Sequence, residues 1–527
     1  MTPANVLFIM TDQQRFDTIR ALGNEVVYTP NIDRLVARGV SFSNAYSPCP
    51  VCVPARYTIR SGAEPTRTGV WSNATPEDVH QQVRDRCGPW LAQTMRGLGY
   101  RTWGIGKFHT MPWDAPVGYD MQLYSEELYE DPRQRGTDSY ADWLAREHPE
   151  YSWVDSLMGE RSDMYYVPQL SPFPADVTVE WWAAERAAEQ LAVADERPFF
   201  GFLSFVGPHP PFAPPQPFNR LYDPDRMPEP VCGDLAVDHM DEQIPYMNHL
   251  VFAENIAPPL ARQLKARYYG EITYIDHCIG QVLDALDKRP DAGNTLIAFF
   301  ADHGDHLGDH HAWQKESFFE ASTRIPFLVS WPDRLPAGTA CDELVSLSDL
   351  FGLSTSAGGS QELRDGIDIL GMLEGSCTPR ETLYGFWGVP GTNNFKMMIR
   401  TGSWKLIWLA NGGRTQLFDI ADDPAELSEL SARHPDVVRR LLHLCGQRLL
   451  ESGLDLVVED GLPKGQPHRT WPRTRIYQFA VSRGVTGFPE TPEAGLLAFT
   501  AELERAAEAA RIGDGGGRAE PGTPWTS

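Results

Sequence analysis

The chain has 527 residues, 42% of them hydrophobic and 11% aromatic, and 46 Lys and Arg stand against 71 Asp and Glu for a net charge of −25. At about 150 residues per domain, this globular composition has room for one large α/β domain and a smaller one. The acid surplus argues against a nucleic-acid backbone or an anionic membrane as partner, since those are held through Lys and Arg; a small anionic substrate needs only a locally cationic pocket.

Val6 to Met10 opens the chain as an apolar strand. A helix follows over Asn31 to Arg38, with Thr29 as its N-cap, Pro30 at the first helical position and Gly39 just past its end. Cys49 to Gly62 admits two readings. Cys49 and Cys52 form a Cys-x-x-Cys pair, but no second pair or His pair completes a zinc site, and the chain is far larger than a thioredoxin-like unit. Alternatively, Cys52, Pro54 and Arg56 open a helix ending before Gly62, where unpaired N–H groups and the helix dipole favour a tetrahedral anion.

Further strands are read at Arg101 to Ile105, Phe199 to Phe205, Leu296 to Phe300 and Ile325 to Val329, with a helix over Leu264 to Leu286. This alternation predicts a large, mostly parallel or mixed sheet flanked by helices over residues 1–375. From about Thr382 the texture changes. Lys396 to Leu409 reads as a hairpin turning at Thr401 to Ser403, Gln416 to Asp419 as another strand, and Pro435 to Leu450 as a covering helix. Residues 376–453 are therefore expected to form a small α+β domain with an antiparallel sheet. Residues 454–512 form a Pro- and Arg-rich extension carrying Arg469, Trp471, Arg473, Arg475 and Tyr477, with a helix near Pro492 to Arg511; 513–527 read as a disordered tail. No apolar run approaches the ~20 residues of a membrane-crossing helix, and no signal segment opens the chain, so the cytoplasm is the expected location. The eight scattered cysteines are expected to be mostly reduced.

Four predicted strands end in polar clusters: Thr11-Asp12-Gln13, Gly106-Lys107-Phe108-His109, Gly207-Pro208-His209 and Asp302-His303-Gly304. In open α/β sheets ligands bind outside the carboxyl ends of the strands, so the four clusters can share one crevice. Asp12, Asp302, Gln13 and His303 then supply oxygen and nitrogen donors for a divalent cation. Oxygen dominance favours Ca²⁺, Mg²⁺ or Mn²⁺, and the imidazole moves the set toward Mn²⁺. The neighbouring His306, His310 and His311 are read as solvated loop residues.

Cys52-Val53-Pro54-Ala55-Arg56 followed by Ser61-Gly62 resembles the signature of the formylglycine-dependent sulfatases of the alkaline phosphatase superfamily. Only Cys52 fits, because Cys49 is followed by Pro50, Val51, Cys52 and Val53. A second signature stands at Gly99-Tyr100-Arg101-Thr102 with Gly106-Lys107-Phe108-His109; Asp12, Pro208-His209-Pro210, Asp302-His303-Gly304 and Lys315 follow the family's order. The resemblance extends to about Leu450 and includes Asp419 to Pro424. It implies an alkaline phosphatase-like fold and a sulfuric-ester hydrolase whose Cys52 is oxidised to formylglycine by a formylglycine-generating enzyme. Asp12, Gln13, Asp302 and His303 resemble the metal ligands, the modified Cys52 also touching the metal, for which Ca²⁺ is the first expectation. Arg56 resembles the residue steadying the formylglycine hydrate, Lys107 and Lys315 the cations on the sulfate oxygens, and His209 the group at the leaving oxygen. His109 resembles the residue that helps the sulfated hydrate collapse and restore the aldehyde.

Many members of the family carry Asp where Gln13 stands and Asn where His303 stands. The Gln and His combination also occurs in related phosphonate monoester hydrolases and in some sulfatases, which leaves phosphonate monoester or phosphodiester hydrolysis open, while Gly106-Lys107-Phe108-His109 resembles the sulfatases and points back toward sulfate. A third reading is a non-catalytic anion-binding homologue whose Cys52 is never oxidised. The insert from Trp113 to Pro174 and the C-terminal extension are the expected specificity walls, and a homo-oligomer remains open.

Overall fold

The computed structural model describes residues 3–126, 138–156, 165–233 and 240–471. Strand β1 (Asn5–Thr11) is buried along its whole length because it lies inside an eight-stranded sheet covered on both faces. The other strands are β2 (Val40–Tyr46), β3 (Arg101–Gly106), β4 (Met121–Tyr124), β5 (Phe199–Ser204), β6 (Thr295–Ala301), β7 (Phe327–Ser330) and β8 (Thr339–Ser346), in the order β4-β3-β5-β1-β6-β7-β2-β8. All neighbours are parallel except β7, which runs antiparallel to both β6 and β2, so the sheet is mixed.

Successive residues of β1 face opposite sides. Val6, Phe8 and Met10 join one core with the helices α2 (Cys52–Ser61) and α5 (Asp349–Ala357). Leu7 and Ile9 join the other with α1 (Pro30–Arg38), α3 (Val179–Ala192) and α4 (Pro258–Asp287). Phe8 is held edge-on between Phe200 and Phe300, each 5.4 Å away.

The second sheet is antiparallel, with β9 (Thr382–Trp387), β10 (Lys396–Thr401), β11 (Trp404–Leu409) and β12 (Arg414–Asp419) in the order β12-β11-β10-β9. One face packs under α6 (Pro435–Glu451) through Leu441, Cys445 and Leu449. The other presents Met398, Ile407, Leu409 and Phe418 to Tyr46, Cys49 and Val51, the segment leading into Cys52. The fully buried Lys405 of β11 lies 2.7 Å from Glu320 and 2.8 Å from Glu426 and ties the two sheets' loops together. Residues 458–463 form a short hairpin, after which Asn411 holds both the N–H and the C=O of Arg469, and Trp471 meets Tyr246 edge-on. Arg473, Arg475, Tyr477, the predicted helix from Pro492 to Arg511 and the tail lie outside the described residues. None of the eight cysteines is in a disulfide.

Thr29 occupies the position before α1, yet its side chain makes no cap bond. The cap comes from the long helix α4, whose Asp276 carboxylate accepts the N–H groups of Asn31 at 3.0 Å and Ile32 at 2.7 Å. Gly39 after α1 is extended; a Cβ there would stand 2.3 Å from the Val329 carbonyl, so close packing on β7 demands the glycine. Burial pushes the Asp276 carboxyl up to about 6 against the pull of the capped amides. The folded state therefore holds a proton between about pH 4 and 6 that the unfolded chain releases, and stability falls as pH rises through that window, by roughly 3 kcal/mol. Asp276→Asn is expected to flatten that slope, and Asp276→Ala to lose the cap and about 1–2 kcal/mol at low pH; urea midpoints across the window check both.

Candidate active site

β3, β5, β1 and β6 are consecutive in the sheet, so the four polar clusters after them emerge side by side. Gly106 closes β3 at φ +102, with the Ser204 carbonyl 1.8 Å from where a Cβ would sit; no other residue fits that approach, and it sets Lys107 beside the end of β1. Cys52 stands in the first turn of α2, where the Val53 N–H is taken by Asn73 Oδ1 at 3.0 Å. Its Sγ is completely buried, 3.1 Å from Lys315 Nζ, 3.2 Å from His303 Nε2 and 3.9 Å from Asp12 Oδ1.

Arg56, one turn along α2, spreads its guanidinium over the floor of the site. Nη2 meets Asp12 Oδ2 at 2.7 Å, Nε meets Asp302 Oδ2 at 3.2 Å, and Nη1 donates to the Lys107 carbonyl and Ser204 Oγ. Lys107 Nζ lies 2.7 Å from the same Asp12 oxygen. Burial opposes ionisation of Asp12, but Lys107 and Arg56, with His209 and Lys315, hold its carboxyl well below the usual range. Asp302 goes the other way, pushed up to about 7 by burial and by the Asp12 charge against the pull of Arg56 and Lys107.

Gln13 adopts a left-handed backbone, φ 65, and its N–H donates to Asp302 Oδ1. Its Nε2 donates to Asp305 Oδ2 at 2.5 Å, so Oε1 turns inward to accept from Lys315 Nζ at 2.6 Å. His303 donates from Nδ1 to the Gly304 carbonyl, which leaves the Nε2 lone pair facing the site, and burial keeps the ring neutral by pushing its pKa well down. The donor atoms of Asp12, Cys52, Asp302 and His303 lie within 4.8 Å of one another, all buried. Two carboxylate groups, an amide oxygen and a neutral imidazole nitrogen form a donor set that is mostly hard oxygen with one borderline nitrogen, and the residues present fit a divalent cation.

His209 donates from Nδ1 to the Pro210 carbonyl and packs edge-on to Tyr165 at 5.3 Å. His109 is half-buried at φ 49, its N–H and that of Phe108 both taken by Glu126 Oε1. The structure thus brings Asp12, Gln13, Cys52, Arg56, Lys107, Asp302, His303 and Lys315 into mutual contact, with His209 near enough to act on the Asp12 charge and His109 two residues beyond Lys107. The histidines after the Asp302-His303 pair depart from expectation. His306 is fully buried with Nε2 2.7 Å from Ser317 Oγ, and His310 stacks on Phe319 at 4.0 Å; only His311 is solvated. Both inner rings fill space beneath the small sheet instead of facing water. Asn73, Glu126, Ser204 and Asp305 shape the site without having been singled out. Of these, only Asp305 carried a signal, two residues from His303. The Cys49 thiol is buried and pushed well up by burial and Glu316, which argues against a redox pair with Cys52.

Because Arg56 is the common partner of two buried carboxylates, Arg56→Met is expected to cost about 3–5 kcal/mol of stability. Added Ca²⁺ should return part of the loss, since a cation bound only by the folded state supplies the missing charge; urea unfolding with Ca²⁺ and with a chelator measures both.

Residues 4–355 match the sulfatase family model, and residues 308–447 match a model described as N-sulphoglucosamine sulphohydrolase, C-terminal. An arylsulfatase of Clostridium perfringens is 28% identical over 443 residues, covering 81% of this chain and 90% of the relative. A choline-sulfatase of Rhizobium meliloti is 28% identical over 449 residues, 81% of this chain and 82% of the relative. A multifunctional alkaline phosphatase superfamily protein of Trinickia caryophylli is 31% identical over 364 residues, 62% and 68% of the two chains. Among solved structures, a phosphonate monoester hydrolase of Agrobacterium radiobacter shares the fold with a TM-score of 0.68 at 23% identity, over 88% of this chain and 99% of that one. A 2-O GAG sulfatase shares it with a TM-score of 0.66 at 21% identity, over 86% and 93%. With a family model spanning most of the sheet and every strand-end cluster described above, the chain belongs to the sulfatase family of sulfuric-ester hydrolases, within the alkaline phosphatase superfamily.

Proposed function

We propose that this chain hydrolyses a small sulfate ester, with the hydrate of a formylglycine made from Cys52 as nucleophile and a divalent cation held by Asp12, Gln13, Asp302 and His303. The observation that carries the reading is the position of Cys52: a buried Sγ at the head of α2, in the Cys52-Val53-Pro54-Ala55-Arg56 context, against Lys315 and a lone-pair nitrogen of His303. The oxidised residue, produced by a formylglycine-generating enzyme, supplies a geminal diol that attacks sulfur and can later expel sulfate by re-forming its carbonyl. The cation, Ca²⁺ first and Mn²⁺ or Mg²⁺ next, supplies Lewis-acid stabilisation of charge on the sulfate oxygens.

The remaining work belongs to the chain's own side chains. Lys107 and Lys315 bring two ammonium groups to the crevice, where nonbridging oxygens of the ester gain charge that must be held. Arg56 keeps Asp12 and Asp302 apart and fixed, and by its bond to the Lys107 carbonyl it fixes the backbone from which Lys107 reaches in. His209 keeps its Nδ1 proton on the Pro210 carbonyl, so when the ring is the imidazolium it is the second proton, on Nε2, that passes to the departing alkoxide and leaves the neutral ring. His109, two residues after Lys107 and with its backbone N–H held by Glu126, is the group assigned to moving a proton on the diol.

A second reading, phosphonate monoester or phosphodiester hydrolysis, is favoured by the Gln13 and His303 pair, which leaves the cation site with two carboxylates only. Peptide mass spectrometry across Cys52, on protein made with a formylglycine-generating enzyme, decides maturation; p-nitrophenyl sulfate and a p-nitrophenyl phosphonate assayed with Ca²⁺ or Mn²⁺ decide the ester. Conversion with sulfate release and only weak phosphonate turnover is expected. A preference for the phosphonate would install the second reading, and an unmodified thiol would leave a binding homologue. Cys52→Ala is expected to abolish turnover while Cys49→Ser retains it. His209→Ala should slow esters of poorly acidic alcohols by about 10²–10⁴-fold and p-nitrophenyl sulfate far less, because a good leaving group needs no acid.

A further inference from the structure

Tyr166 comes from the insert between β4 and α3, far in sequence from every residue of the site, and its ring is enclosed by Trp313 at 4.8 Å and Phe212 at 5.7 Å. That aromatic pocket would hold a phenylalanine equally well, so packing gives no reason for the hydroxyl. Both of its hydrogen bonds go to the frame of the active site. It accepts from the Gln314 N–H at 2.9 Å, next to Lys315, and donates to Asp305 Oδ2 at 2.6 Å. The first bond sets the rotor of the second, because an oxygen that accepts from Gln314 turns its hydrogen toward the carboxylate.

The same Asp305 oxygen receives Gln13 Nε2, and Asp305 Oδ1 receives the Leu307 N–H at 2.8 Å. A carboxylate held at both oxygens can only accept, so it selects one of the two orientations of the Gln13 amide, the one with NH₂ outward and Oε1 toward Lys315. An amide is nearly symmetric in shape, and the opposite orientation would point two N–H groups at the cation. We propose that Tyr166 is a positioning residue: acting through Asp305, it fixes the Gln13 amide with its oxygen inward and so sets the cation affinity of the site. The proposal rests on Gln13 as a metal ligand and gives part of the insert a role in the cation site besides that of a substrate wall.

The test is a double-mutant cycle on the full chain, freed of metal and titrated with Mn²⁺ alone by calorimetry, so that neither oxidation of Cys52 nor turnover enters. Tyr166→Phe should weaken Mn²⁺ binding by about 10–100-fold, and by less than about 3-fold when Gln13→Ala is already present. Asp305→Asn should show the same dependence on Gln13 and stands in if Tyr166→Phe fails to fold. An equal loss in both backgrounds would mean that the hydroxyl only stabilises the fold, and the proposal falls. If Gln13→Ala weakens binding but Tyr166→Phe and Asp305→Asn do not, the positioning role falls while Gln13 stands as a ligand. If Gln13→Ala changes nothing, both fall.

Discussion

Two carboxylates buried within reach of one another each lose several kcal/mol of hydration, and the loss is tolerable only when every charge meets a partner. Asp12 and Asp302 meet that condition through one guanidinium that touches both, an ammonium on Asp12, and backbone amides on Asp302. Arg56 can serve both because α2 starts at Cys52, places the arginine one turn later, and runs beneath the ends of β1 and β6. The same geometry puts residue 52 among the cations. The position of the proposed nucleophile and the charge balance are thus one construction, and neither could be moved without the other.

The sheet provides the rest. Parallel strands bring their carboxyl ends to one edge, and four adjacent strands release their loops there, so residues as distant as Asp12 and Asp302 become neighbours with no contribution from local sequence. The small antiparallel sheet supports this indirectly. Its inner face packs on Cys49 and Val51, and its buried Lys405 holds Glu320 a few residues after Lys315. It therefore braces the two segments that deliver Cys52 and Lys315, which accounts for a second layer of structure behind a site formed at the edge of the first sheet.

What could be read from sequence was whatever local pattern encodes. Strands buried on both faces are continuous apolar runs, and β1, β5 and β6 were legible to within a residue or so. The edge strands β4 and β8 were not, because an edge is kept short, polar or partly exposed, and such patterns resemble loops. β2 was hidden by Ser41, Ser43 and Asn44 between its apolar residues. Most of the candidate site residues stood out because they follow a strand end or open a helix; Lys315, in the loop after β6, was marked only by the family resemblance. Residues that work by tertiary reach had no local mark: Asp276 caps a helix 245 positions away in sequence, and Tyr166 reaches Asp305 across 139. His306 and His310 misled for the converse reason, since a run of histidines and aspartates reads as hydrophilic until the fold supplies Phe319 and Ser317 to receive it.

Burial also gives the site a direction. Asp12, Gln13, Cys52, Lys107, Asp302 and His303 are wholly inaccessible, and His109 is the most exposed of the proposed catalytic groups. In the proposed reaction the sulfuryl group occupies the inner end, among donors whose positions are set by the sheet, and the alcohol portion must extend toward His209 and His109. His209 packs on Tyr165, and His109 opens directly into the residues before β4, so the outer part is walled by the insert. The inner end has little freedom to vary, because each of its groups is also a partner in the charge balance. On that reading, selectivity for the alcohol falls to the insert, where a side chain can change without unpairing a buried charge, and the neighbouring Tyr165 and Tyr166 mark the boundary: one packs on His209, the other bonds to Asp305 behind Gln13.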